Sequence, residues 1–116
     1  MKRLFAAFAL FIAAIAFRPV FGGPGDGCHF HGSKSAADSV VAKCADQRKE
    51  LLVKNGKIDG SWGSIKYESI SMIDGQKGKE WRVVYKNPAA TDKAKTSLYM
   101  FFTPVGNFIA ANHTGQ

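Results

Sequence analysis

The chain holds only two cysteines, three histidines and four prolines among its 116 residues. It contains no Gly-x-Ser-x-Gly, no His-Glu-x-x-His, and no glycine loop of the phosphate-cradling kind leading into a helix. Those absences remove the commonest sequence signatures of serine-nucleophile hydrolysis, zinc proteolysis and nucleotide binding. The carboxylates Glu68, Glu80 and Asp92 have no visible catalytic partner, so the chain is expected not to be an enzyme. Nor are Cys28 and Cys44 spaced as Cys-x-x-Cys, which disfavours a redox-active pair.

Long apolar runs are scarce as well. The only one extends from Leu4 to Phe17, shorter than the roughly 20 residues needed to cross a bilayer. It follows the basic Met1-Lys2-Arg3 and precedes Pro19, the order of a secretory signal, with cleavage expected after Gly22 and the alternative after Ala16. After cleavage the chain is expected not to span a membrane. The signal's Lys2, Arg3 and Arg18 take the formal charge from +7 to +4. The remaining basic residues are scattered among acids, with no block of five or six, so a solvated surface explains them and nucleic acid is not an expected partner.

What is present divides into a signal peptide at 1–22, a Gly-rich leader at 23–34, and a single domain at 35–116. The leader ends in Cys28-His29-Phe30-His31, which gathers two of the three histidines and one of the two cysteines. Beyond it, Ala37, Val40, Val41, Cys44, Leu51 and Leu52 recur at helical spacing, interrupted by Arg48. This predicts a helix over about 36–54, capped by Ser35 with Asp38 and stopped at Asn55-Gly56. Four strand-like segments follow: 64–72, whose apolar phase shifts between Tyr67 and Ile70 so that it either bulges or breaks there, then 80–86, 96–103 and 108–112. Pro104-Val105-Gly106-Asn107 is short enough to make the last two antiparallel. The expected fold class is α+β, one N-terminal helix packed on an antiparallel sheet of about four strands.

Trp62, Glu80-Trp81 with Val83, Lys86-Asn87-Pro88, Leu98-Tyr99 with Phe101, Gly106, and the ending Ala110-Ala111-Asn112-His113-Thr114-Gly115 carry a resemblance. The segment from about Leu51 to Gln116 resembles a family of small exported bacterial proteins of unassigned function, and its order of elements is similar to the PepSY type of domain. The resemblance implies a periplasmic or secreted location and a PepSY-like helix over a sheet, and it implies no activity. Members carry a His-rich leader before the helix, a place taken here by Cys-His-Phe-His.

Two uses of the leader are open. In an oxidising compartment the two cysteines are expected to pair as Cys28–Cys44, stapling the leader to the helix. The other use is metal: residues two apart in an extended chain face one way, so His29 and His31 can present both imidazoles to one copper or zinc ion. Reduced Cys28 and Cys44 would extend that set to Cys2His2, and oxidised ones would leave the two imidazoles needing a further ligand, from a partner or from His113. His113 itself reads as a terminal polar residue. A second class of function is a PepSY-like module that binds a peptide or another envelope protein. The strand 96–103 is apolar on both faces, so Tyr99 and Phe101 are the expected contact residues, for such a partner or for a homodimer.

Overall fold

The computed structural model describes residues 28–116. The expected signal peptide at 1–22 and the first five residues of the Gly-rich leader, 23–27, lie outside the described ones. Among the described residues, one α-helix lies on a four-stranded antiparallel sheet, the α+β arrangement expected.

Helix α1 spans Asp38–Lys54. It begins two residues later than predicted and without the Ser35 cap. Its N-cap is Ala37, which makes no side-chain bond. The Ala36 N–H instead donates to the Pro104 carbonyl at 2.8 Å, so a tertiary contact with the β-turn sets where the helix starts. The other end stops where expected. Gly56 takes φ +73°, its N–H bonds the Val53 carbonyl, and the Lys57 N–H bonds that of Leu52, which satisfies the last carbonyls.

The buried face of α1 is Val41, Ala42, Cys44, Ala45 and Lys49, rotated from the predicted stripe. Val40, expected inside, is exposed, while Lys49 is 4% exposed. The Lys49 ammonium reaches past the helix to donate to the carbonyls of Gly63 and Ile65, which is how a charged side chain occupies a core position.

The sheet has the order β1-β2-β3-β4, with β1 Tyr67–Gly75, β2 Gly78–Lys86, β3 Ser97–Phe102 and β4 Phe108–Asn112. Strand β1 lies three residues later than predicted. Residues Gly60–Ser64 wind into a 3-10 turn, started by the Asp59 carboxylate accepting from the Ser61 N–H. The predicted bulge is present as a register shift between Tyr67 and Ser69. The hairpin beyond is tighter than expected. Gly75 pairs with Gly78, whose φ of +125° closes the two-residue turn at Gln76-Lys77.

Register then decides what faces the helix. Trp81, Val83 and Tyr85 oppose Phe102, Met100 and Leu98, and this face meets Val41, Cys44 and Ala45 with Trp62 closing one end. Each large side chain fully buried here contributes about 1.5–3 kcal/mol. On the opposite face, Phe101 is only 6% exposed and Tyr99 is half-buried. The chain's own ending accounts for much of that. The Asn112 side-chain oxygen accepts from the N–H groups of Thr114 and Gly115, turning the chain back so that Gly115, at φ +85°, lies against the Tyr99 ring.

Candidate functional site

The leader corner is built around Phe30. Its ring is partly buried against the core and lies beside Gly106 in the turn between β3 and β4. Asn107, in the same turn, grips the Phe30 backbone from both sides: Phe30 N–H donates to Oδ1 and Nδ2 donates to the Phe30 carbonyl, each at 2.8 Å. One amide side chain thus imitates the pairing a neighbouring strand would give. With Phe30 turned inward, its neighbours turn outward. His29 and His31 are both exposed, their ring centroids 4.7 Å apart and nearly perpendicular. This is the same-side placement expected from the spacing.

Cys28 and Cys44 are joined by a disulfide, with Cα atoms 5.7 Å apart across a separation of 16 residues. The leader is therefore anchored just before the pair by the disulfide and between its two members by Asn107. No free thiol remains, so in this structure the two sulfurs are bonded to each other and the Cys2His2 set is not assembled. Among the described residues no group of three His, Cys, Asp or Glu side chains gathers as a ligand set.

His113 is placed elsewhere. Strand β4, five residues at about 3.3 Å each, separates it from the Asn107 turn by roughly 17 Å. Far from being a bare terminal residue, it is half-buried, with Nδ1 at 2.7 Å from the Ser97 carbonyl and its ring 6.1 Å from that of Trp62. A carbonyl only accepts, so Nδ1 carries the proton and Nε2 keeps the lone pair in the neutral ring. His113 and Trp62 line a cleft of about 200 Å³ with Lys57, Asp59, Asp92 and Lys95.

Asn87 holds the loops of this corner together. It is 1% exposed; Nδ2 donates to the Ser61 hydroxyl, and Oδ1 accepts from the Ala89 N–H. Asp59 accepts from both the hydroxyl and the N–H of Ser61, and these bonds hold its carboxyl below its ordinary 3.8. Lys49 and Tyr85 fill the adjoining core. Burial pushes the Lys49 ammonium below its ordinary 10.5, against the opposing pull of Asp46 and Glu50. Burial, helped by the 2.7 Å bond the phenol donates to Asp46, pushes Tyr85 far above its ordinary 10.0.

The His-x-His spacing accounts for the neighbouring rings of His29 and His31, but it carries no sign of what fixes them. Asn107 read only as a turn residue. Its one available signal was a side chain with both a donor and an acceptor, next to a glycine that leaves room for another residue; here a Cβ on Gly106 would stand 3.1 Å from the Phe30 ring. Asn87 read only as the end of a strand.

The fold and this corner define a small α+β domain displaying an anchored pair of histidines. The chain belongs to the family of unknown function DUF6488, whose model matches residues 1–116. No curated protein and no solved structure gives a significant match. No described helix is long and apolar enough to cross a membrane.

Proposed function

We propose that this is an exported, non-enzymatic domain that binds copper or zinc through His29 and His31. One observation carries the reading: the clamp of Asn107 on Phe30 turns a local His-x-His into two neighbouring, exposed imidazoles on an anchored backbone. Preorganisation of this kind reduces the ordering cost of ligation. Imidazole suits both metals, and by the general affinity order copper(II) binds more tightly than zinc. What supports export is the basic start and apolar run of the sequence, together with a cysteine pair of the kind oxidising compartments favour.

Calorimetric titration of the disulfide-bonded protein with copper(II) and with zinc tests the reading. Saturable binding is expected, and it should vanish in His29→Ala/His31→Ala. A double variant that binds as well as the parent sinks it.

A second reading is a PepSY-like module that meets a peptide or another envelope protein through the sheet's far face. It is favoured by a groove of about 420 Å³ there, where Ile73, Phe101 and Ile109 adjoin the chain's last residues. Since Phe101 is buried, the informative change is at Ile109, which is 44% exposed. Ile109→Asp should keep the fold and abolish recovery of the partner; undiminished recovery removes this reading.

A further inference from the structure

Building on the metal reading, we propose that His29 and His31 form half of a zinc site whose other half is the same pair on a second copy of this chain, so that one zinc ion joins two chains through four imidazoles. Zinc in a closed site takes four ligands in a tetrahedron. This corner supplies two. The third histidine lies at the other end of β4, held to the Ser97 carbonyl, and both cysteine sulfurs are bonded to each other. No described acid gathers with the pair to form a ligand set of three.

The pair is also placed where another molecule can reach it. Phe30 points into the domain, and directly after His31 the chain swings away at Gly32, whose φ is +92°. A Cβ built on Gly32 would meet nothing within 4 Å and His31 is exposed, so the tip His31-Gly32 stands clear of the other described residues. A two-fold axis through the ion needs only His29 and His31 from each copy, and a two-fold arrangement is the commonest way for identical chains to associate. Both rings are exposed side chains, free to rotate from their edge-to-face contact until one nitrogen of each faces the ion. Copper(II), which favours tetragonal nitrogen and oxygen ligands, can complete its coordination on a single chain with water. The proposal therefore concerns zinc.

Sedimentation velocity and calorimetry on the disulfide-bonded protein, with zinc chloride as the probe, provide the test. The expected results are one zinc per two chains, a doubling of mass that EDTA reverses, and no doubling for His31→Ala. One zinc per chain with an unchanged mass overturns the shared site and leaves the metal reading standing, as does binding of copper alone. Failure to bind either metal removes both. Doubling that persists in His29→Ala/His31→Ala also overturns the proposal, because the chains would then associate through another surface.

Discussion

The two ends of strand β4 use histidine in opposite ways. At the turn before it, Asn107 grips the backbone between His29 and His31 and leaves both rings exposed. At the far end, the ring of His113 is itself bonded to the Ser97 carbonyl and half-buried beside Trp62. In the first case the backbone is fixed and the side chains are available, and in the second the side chain is part of the fixing. A histidine's availability for chemistry thus depends on which of its groups the fold consumes.

The strongest way to break this contrast is to damage the His113 corner and watch the other. Trp62→Ala removes a side chain that is 3% exposed and should cost about 3–5 kcal/mol in urea unfolding. On the metal reading, the remaining folded protein should bind metal at His29 and His31 as well as the parent does; a joint loss would mean that the two corners are one cooperative site. Replacing the disulfide, Cys28→Ser with Cys44→Ser, should cost about 3 kcal/mol by the chain-entropy account of a loop of this length. It should also weaken metal binding, because the leader loses one of its two anchors.

Asn107→Ala is the sharper instrument. It should cost about 1–2 kcal/mol of stability, from two lost bonds to backbone groups. Metal affinity should fall roughly tenfold, the scale on which outer partners of a ligand act. His113→Ala, its counterpart, should lower stability by about 1 kcal/mol and leave metal affinity alone. If His113→Ala weakened binding as much as Asn107→Ala, the contrast would collapse.

The smallest effect is one of pH. Asp59 has its carboxyl lowered by the bonds from Ser61, so the stabilisation it gives the cleft corner is fully present above 3.8 and is lost as pH falls through the lower folded value. The Ser61 amide resonance should accordingly titrate with a midpoint below 3.8. A Ser61 midpoint at or above 3.8 would contradict the bonding described.

Much of the fold is legible in the sequence because it depends on period and punctuation. The helix end follows from Asn55-Gly56, the three later strands from their apolar segments and turns, and the β1 bulge from the slipped alternation between Tyr67 and Ile70. What escapes the sequence depends on contacts distant along the chain. The helix start is set by Pro104, and the place of Lys49 by carbonyls beyond the end of its own helix. Arg48 interrupts the apolar stripe in sequence, yet its guanidinium lies 4.1 Å from the centre of the Phe108 ring. At the candidate site, the His-x-His geometry is local and readable, whereas its clamp comes from a residue 77 positions away. The far face of the sheet shows the same limit: Tyr99 and Phe101 look unpartnered along the strand, and the chain's last residues lie over that face.

That separation of 77 positions bears on the order in which the domain assembles. The hairpins β1–β2 and β3–β4 close short loops, while the meeting of Phe30 with Asn107 closes nearly the whole domain and needs the last turn to exist first. By loop-closure entropy, the contacts that fix the backbone of the histidine pair are expected to be among the last to form. On the metal reading, a chain stalled with its last hairpin unformed would carry the same two histidines and hold metal loosely, so tight binding would distinguish finished molecules from unfinished ones.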